Sequence, residues 1–237
     1  HFVMSEDSYA RVVQMGENPA QVFLVGNPGL DNIAQQDIMG VEEFEQFTSF
    51  QMRNQNLLVT YHPVTLEKGE AEGQVDALLS ALAQMSDDVG ILITMPNADP
   101  EFQDILRKIE EFETAHAGVK LVKSLGQRGY YSALTHFDAV VGNSSSGLLE
   151  APSFNIPTVN IGDRQKGRLQ AESVISVECN NDAIKATIDK ALEMSCENVT
   201  NPYDQGGAAQ KIIKALEQVG DLSALTKKPF FEPKEQV

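Results

Sequence analysis

The sequence predicts an α/β protein built on a parallel sheet. Short, nearly continuous apolar runs alternate with stretches whose apolar residues recur at helical spacing, and polar or glycine-rich loops follow the runs. Continuous apolar strands are typical of parallel sheets, in which helices cover both faces. Ligands bind such sheets at the carboxyl ends of the strands, so the loops after the strands are where site residues are expected.

The predicted elements follow one another in a regular order. Two strand-like runs, 1–3 and 22–25, flank a helix that begins after Ser5 and stops at Gly16. Beyond them, the apolar runs predicted as strands are 57–60, 91–94, 119–122, 139–141, 158–161 and 174–177. Helices are predicted between most of these runs, and a last helix covers about 205–219.

Composition narrows the classes of partner. The chain has 237 residues and a net charge of −16, so its field repels nucleic acid and anionic membranes. Neither a signal peptide nor a membrane-length apolar run is visible, and the two cysteines are expected to be thiols of a reducing compartment. We therefore expect a cytoplasmic protein. No cluster has metal-ligand spacing, so neither a metal nor a cofactor is expected.

A serine-rich turn follows the predicted strand at 139–141. Gly142 and Asn143 lead into Ser144, Ser145, Ser146 and Gly147, and a short helix with Leu148, Leu149 and Glu150 comes next. Small residues, free N–H groups and hydroxyls at a helix start suit a phosphate, although a plain serine N-cap explains the same pattern. The carboxylate of Glu150 either interacts favourably with the helix dipole or accepts hydrogen bonds from the two ribose hydroxyls of a nucleotide.

Three further strand-end features are candidates for the same site. Arg164 and Arg168, with Lys166 between them, follow the run at 158–161; a solvated charge cluster is the alternative, but we favour phosphate contact at this edge. His62 follows the run at 57–60 and suits a phosphate donor or a proton carrier, although a lone histidine is more often structural. Tyr130 or its neighbour Tyr131 either stacks on a base or packs in the core.

Several motifs in order resemble the hydrolysing UDP-N-acetylglucosamine 2-epimerases of bacterial sialic acid biosynthesis. The segments that carry the resemblance are 16–19, 25–31, 60–65, 142–150, 162–168 and 201–203, and the likeness extends to about residue 219. It implies a glycosyltransferase-B-like fold whose Rossmann-like domain binds UDP. It also implies that Ser144 and Ser145 bind the diphosphate, that Glu150 holds the ribose and that Tyr130 lies beside uracil.

The resemblance extends to the remaining site residues and to the domain plan. Arg164 and Arg168 are implied on the diphosphate side or in ordering their loop, and His62 near the diphosphate and reacting sugar. The implied plan is 1–33 as the remnant of an N-terminal Rossmann-like domain, 34–55 as a linker, 56–200 as the nucleotide-binding domain, 201–219 as a crossover helix and 220–237 as a loosely attached tail. Most of the N-terminal domain, which carries the catalytic carboxylates in the family, is then missing from this sequence, which begins at His1.

The implied reaction converts UDP-GlcNAc and water to ManNAc and UDP by elimination and hydration. We expect this chain to bind UDP but to be inactive alone, and the intact enzyme to need its N-terminal domain and to associate with itself. The alternatives are a hydrolysing UDP-N,N′-diacetylbacillosamine 2-epimerase, the donor-binding half of a glycosyltransferase, and a non-catalytic nucleotide-binding module.

Overall fold

A computed structural model describes residues 1–64, 69–219 and 228–232 of the chain, with the side chain of Ala34 excepted. Contacts divide the chain into two compact units, one of residues 1–35 and 201–237 and one of residues 36–200. Thr65 of the 60–65 motif and most of the predicted tail lie outside the described residues.

The larger unit is a doubly wound parallel sheet, which confirms the predicted fold class. Its strands are β3 (Gln55–Thr60), β4 (Val89–Thr94), β5 (Val119–Val122), β6 (Ala139–Gly142), β7 (Thr158–Ile161) and β8 (Val174–Val177). Its helices are α2 (Val41–Thr48), α3 (Ala71–Leu82), α4 (Phe102–Ala115), α5 (Gly126–His136), α6 (Ser146–Leu149) and α7 (Asn181–Leu192), with a 3-10 turn at Ala151–Phe154.

The strand order is β5-β4-β3-β6-β7-β8, with every neighbouring pair parallel. The chain therefore builds outward from β3 in one direction and from β6 in the other. The boundary between β3 and β6 is the topological switch point, where the loops after two adjacent strands diverge and leave a crevice. This order places the loops that follow β3 and β6 on either side of the crevice.

Apolar residues on both faces of the strands hold the sheet together. Leu57 and Val59 pack with the buried residues of α3, α4 and α7 in one continuous core cluster. Leu58, between them, belongs to the other face because strand side chains alternate, and it too is fully buried. Burial on both faces is what the unbroken apolar runs predicted.

Aromatic rings anchor the segment before β3. Phe44 of α2 and Phe50 are buried, and their ring centroids each lie 5.7 Å from that of Phe137, which follows α5. The Arg128 guanidinium on α5 also binds the carboxylate of Glu43. Residues 36–55, most of the segment predicted as a linker, therefore fold as part of the larger unit.

The smaller unit contains β1 (Phe2–Val3), α1 (Glu6–Gln14), β2 (Phe23–Leu24) and α8 (Ala208–Val219), with 3-10 turns at Pro19–Gln21 and Leu30–Gln35. The two strands pair in parallel. Asp31 caps α8, since its carboxylate accepts from the N–H groups of Ala208 and Ala209 at 3.0 and 2.7 Å. The helix begins later than the predicted 205 because Gly206 and Gly207 both have positive φ angles.

The described part of the tail contacts the smaller unit. The Phe231 N–H donates to the Gly16 carbonyl at 2.8 Å, and Lys228 forms an ion pair of 2.8 Å with Glu17. Residues 228–232 are therefore attached there by specific contacts.

Candidate nucleotide-binding site

A cleft of about 560 Å³ lies at the carboxyl ends of the strands from β5 to β6, beside the switch point. This volume is ordinary for a small-molecule site. Its lining includes five residues predicted from the sequence to form the site, His62, Tyr130, Ser144, Ser146 and Glu150. The sheet order therefore brings together residues that are up to 88 positions apart, from His62 to Glu150.

His62 is buried at the end of β3 and is held at both its backbone and its ring. The side chain of Asn143 accepts from the His62 N–H at 2.8 Å and donates to the His62 carbonyl at 2.8 Å. The ring atom Nδ1 accepts from the N–H of Asn97 at 3.0 Å. Because Nδ1 is the acceptor, the neutral ring carries its proton on Nε2.

The charge state of His62 follows from its surroundings. Burial, and then the neighbouring positive charge of Arg164, lower the pKa of His62 to about 4, although Asp99 opposes the shift. The imidazole is therefore neutral near pH 7. It can donate a hydrogen bond from Nε2 but does not contribute a positive charge to the cleft.

The carbonyl of Asn143 is hydrogen-bonded to two residues of the loop that follows β7. It accepts from Arg164 Nη1 at 3.1 Å and from the Gln165 side-chain amide at 2.8 Å. Because β6 and β7 are adjacent and parallel, their following loops start side by side. Arg164 is thus held beside the serine turn.

The serine turn uses one hydroxyl at the start of α6, since Ser144 Oγ accepts from the Ser146 N–H at 3.4 Å. Helix α6 begins at Ser146, and its N-cap residue Ser145 makes no side-chain capping bond. In the described part of the chain the backbone N–H groups of Ser144 and Ser145 have no hydrogen-bond partner. Ser146 Oγ is buried and likewise unpaired. The two N–H groups are therefore not used by the fold.

Gly147 has a packing role in the same turn. A Cβ at this position would lie 2.5 Å from Thr158 Cγ2, and the Thr158 hydroxyl donates to the Gly147 carbonyl at 2.9 Å. The glycine is required for contact with β7, and it does not line the cleft.

Glu150 lies at the C-terminal end of α6, whereas the sequence placed it about one turn inside a helix. The helix starts at Ser146 and lasts four residues, and the Glu150 side chain caps neither it nor the following 3-10 turn. A carboxylate at a helix C-terminus gains nothing from the helix dipole. The dipole of α6 therefore does not favour Glu150, which also precedes the 3-10 turn at Ala151–Phe154 and lines the cleft.

Tyr130 lies in the second turn of α5, which begins at Gly126. Burial raises the pKa of its phenol, and the neighbouring Glu150 carboxylate adds to the shift. The Ser146 hydroxyl approaches the phenol, which opposes the shift, but Ser146 Oγ has no partner with hydrogen-bonding geometry. Tyr130, Ser146 and Glu150 thus form one corner of the cleft.

The two arginines of the loop after β7 differ in position. Arg164 is half-buried and bound to the Asn143 carbonyl, whereas Arg168 is exposed, and neither arginine lines the cleft. Lys166, between them, pairs with Asp163 at 2.7 Å on the surface. Among these three cations, Arg164 is the one that the structure places against the serine turn.

Sequence reasoning assigned no role to Asn97 or Asn143, although both follow predicted strands. The structure shows that their hydrogen bonds hold His62. A polar residue shortly after an apolar strand was the available signal. Its meaning depends on which strands are neighbours, and that is not visible in the linear order.

Within the part of the chain that the structure describes, neither a metal-ligand cluster nor a membrane-length apolar helix is present. No group of three or more His, Cys, Asp or Glu is arranged to hold a metal ion. Of the described helices, none has both the length and the apolar character needed to cross a lipid bilayer.

Comparison with known proteins identifies relatives of this chain. A family model described as UDP-N-acetylglucosamine 2-epimerase matches residues 1–217. The chain is 32% identical over 219 residues to the UDP-N,N′-diacetylbacillosamine 2-epimerase (hydrolyzing) of Legionella pneumophila, a match that covers 92% of this chain and 57% of that protein. It is 33% identical over 222 residues to the polysialic acid biosynthesis protein P7 of Escherichia coli, with 90% and 56% covered.

A solved structure shares the fold. The MnaA protein of S. aureus, solved with UDP, matches with a TM-score of 0.72 and 17% identity, covering 98% of this chain and 62% of that one. This likeness identifies the fold as glycosyltransferase-B-like, as predicted. The chain spans 56% to 62% of the length of these three proteins. Because the family model matches almost the entire sequence, the chain belongs to the UDP-N-acetylglucosamine 2-epimerase family.

Proposed function

We propose that this chain binds the UDP part of a UDP-2-acetamido sugar and forms the nucleotide-holding part of a hydrolysing UDP-sugar 2-epimerase. The observation that carries the proposal is the cleft beside the switch point, which Ser144, Ser146 and Glu150 line. The Asn143 carbonyl holds Arg164 next to the serine turn, outside the cleft lining. In a chain with a net charge of −16, a half-buried arginine beside free N–H groups is a local exception that favours an anion.

The diphosphate is assigned to the serine turn. Ser144, Ser145 and Ser146 provide hydroxyls, the first two also provide unpaired N–H groups, and Arg164 provides a planar pair of charged donors. Arg168, which is exposed, is assigned to ordering its loop or to the outer side of the diphosphate. Gly147 supports this site by allowing the turn to pack on β7.

The nucleoside is assigned to the other side of the cleft. Glu150, whose carboxylate caps no helix, accepts from the two ribose hydroxyls. Tyr130, in the second turn of α5, lies beside the uracil. These two assignments place the nucleoside next to α5 and the diphosphate next to α6.

His62 is assigned to the junction of diphosphate and sugar. Its Nε2–H donates to the oxygen on which negative charge grows as UDP leaves, because Nδ1 is occupied by Asn97. A neutral donor of this kind stabilises the leaving group together with Arg164. The catalytic role of His62 is tested in the intact enzyme, separately from its binding role.

The reaction proposed for the intact enzyme has two steps, elimination of UDP and addition of water. A base removes the proton at C2, the C1–O bond breaks with its electrons going to UDP, and an unsaturated 2-acetamido sugar forms. Water then adds, with hydroxyl at C1 and a proton at C2 on the opposite face. Among the described residues that line the cleft, Glu150 is the only carboxylate, and it is assigned to the ribose. We therefore expect this chain to bind UDP without turning over a UDP-sugar.

Two sugars are candidates for the intact enzyme. UDP-GlcNAc, giving ManNAc for sialic acid synthesis, agrees with the family description and with the polysialic acid relative. UDP-N,N′-diacetylbacillosamine agrees with the name of the Legionella relative. Incubating each UDP-sugar with the intact enzyme and no acceptor separates them by the sugar released with UDP, whereas a glycosyltransferase would need an acceptor.

The proposal is tested by a thermal-shift titration of this chain with UDP. A ligand that binds only the folded state raises the unfolding midpoint. We expect UDP to raise it, and Ser145→Ala and Arg164→Ala to remove most of the shift. Ser80→Ala and Arg107→Ala, both at exposed helix positions, are matched controls that keep the shift. No shift at millimolar UDP would overturn the assignment.

A further inference from the structure

Asn143 is a fully buried polar residue at the centre of the candidate site. It is 0% exposed, and both polar atoms of its side chain bind the backbone of His62, each at 2.8 Å. A buried amide whose oxygen and nitrogen are both hydrogen-bonded resists displacement, because moving it leaves a polar group unpaired. The side chain of Asn143 therefore sets the position of the His62 backbone.

The backbone of Asn143 acts on a second loop. Its carbonyl receives Arg164 Nη1 at 3.1 Å and the Gln165 side-chain amide at 2.8 Å. Gln165 is itself buried, with 2% of its surface exposed. One residue thus joins the loops that follow β3, β6 and β7, and two of those loops carry His62 and Arg164.

We propose that Asn143 is a positioning residue that sets His62 and Arg164 in register with each other at the UDP site. The proposal rests on the proposed function, because it takes His62 and Arg164 to face the diphosphate. Asn143 itself does not line the cleft, so it acts through these two residues. Removing its side chain should therefore loosen His62 first, and the effect on UDP should follow from that.

Strand β3, which precedes His62, contains a matched control. Asn56, at the amino end of β3, is 3% exposed, accepts from the Arg53 N–H at 2.9 Å and donates to the Arg53 carbonyl at 3.0 Å. It forms the same paired amide–backbone contact as Asn143 but lies at the opposite end of the strand from His62. Asn56→Ala therefore removes equivalent stabilising bonds and leaves the cleft untouched.

The experiment compares Asn143→Ala with Asn56→Ala in this chain by histidine NMR and by UDP titration. The chain has four histidines, and loss of one signal in His62→Asn assigns His62. With a pKa of about 4, His62 of the unaltered chain stays neutral in weakly acidic buffer. In Asn143→Ala we expect its pKa to rise toward the ordinary value of 6.5 and UDP affinity to fall about tenfold.

The outcomes separate positioning from stability. Asn56→Ala is expected to lower the unfolding midpoint while keeping both the His62 titration and the UDP affinity. If Asn143→Ala behaves like Asn56→Ala in both measurements, the proposal is overturned. If the unaltered chain does not bind UDP, the UDP assignment fails, and the His62 titration alone decides whether Asn143 positions this residue.

A measurement on the unaltered chain covers the case in which Asn143→Ala does not fold. The His62 amide proton, bound to Asn143 Oδ1, should exchange with solvent as slowly as amides inside β3. Exchange at the rate of an open loop would show that the pair does not hold His62, and the proposal would fall.

Discussion

The ring of His62 receives the backbone N–H of Asn97, with 3.0 Å between Asn97 N and His62 Nδ1. This bond requires an unprotonated Nδ1, so protonating the ring at that nitrogen breaks it. Burial and Arg164 act in the same direction and lower the pKa of His62 to about 4. A neutral histidine with a fixed Nε2–H is therefore part of the folded state.

The first prediction concerns the pH dependence of stability. The pKa of His62 is about 4 in the folded state and near the ordinary 6.5 when unfolded, so its contribution is present above pH 6.5 and is lost as pH falls toward 4. Between about pH 7.5 and pH 5.5 the free energy of unfolding should fall by about 1 kcal/mol from this group. Urea unfolding of the unaltered chain and of His62→Asn measures the difference.

Other groups also titrate in this range, so the comparison between the two proteins carries the test. The His62→Asn variant should lose less stability on acidification than the unaltered chain does. Equal losses in both proteins would mean that His62 is protonated with an ordinary pKa in the folded state.

The second prediction concerns Gly142 at the end of β6. Its φ of +135° suits glycine, and a Cβ there would lie 1.9 Å from the Thr60 carbonyl oxygen of β3. Gly142→Ala should lower the free energy of unfolding by at least about 3 kcal/mol, because the contact is with backbone and cannot relax cheaply. Chemical denaturation measures the change.

Gly73 provides a control of opposite sign for the same substitution. It is exposed in α3, and an added Cβ meets nothing within 4 Å. Gly73→Ala should raise the free energy of unfolding by about 0.5 to 1 kcal/mol, since alanine has the higher helix propensity. A Gly142→Ala protein as stable as Gly73→Ala would contradict the close approach of β3 and β6.

The third prediction tests Glu150 as the ribose ligand. Glu150→Gln should weaken UDP binding about tenfold, because a charge-assisted acceptor of two hydroxyls is lost. A UDP analogue that lacks both ribose hydroxyls serves as the control and should bind the two proteins equally. Calorimetric titration measures all four affinities. An equal loss for UDP and the analogue would place Glu150 elsewhere than at the ribose.

The fourth prediction concerns the start of α8 in the smaller unit. Asp31 binds two N–H groups there, those of Ala208 and Ala209, so Asp31→Ala should cost about 1 kcal/mol of stability. Asp189→Ala, which removes only an exposed pair with Lys185 on α7, should cost no more than about 0.5 kcal/mol. Thermal unfolding compares the variants, and equal effects would argue against the cap.

Much of the fold could be predicted from local sequence patterns. The apolar runs around Leu58 and Leu92 became buried neighbouring strands, because only a sheet covered on both faces accommodates unbroken apolar strands. The residues at which helices begin were harder to predict from the sequence. The starts of α5 at Gly126 and α8 at Ala208 depend on backbone angles and on the Asp31 cap, which lies 177 positions from Ala208.

Within the candidate site, residue types were easier to predict than their partners. His62, Ser144 and Glu150 were recognised as strand-end polar residues of one family motif set, and all three line the cleft. Asn143 was read only as part of the serine turn, although its side chain binds a residue 81 positions away. That pairing depends on β3 and β6 being neighbours.

The order of apolar and polar residues was enough to define a parallel α/β sheet and to identify the loops with the chemistry, because periodicity and turn composition are local properties of the chain. The strand order, by contrast, results from packing among distant segments. It made β3 and β6 adjacent, buried His62 against Asn97 and Asn143, and drew Arg164 to the serine turn. Burial and neighbouring charge, which together make His62 neutral, exist only once those segments have met.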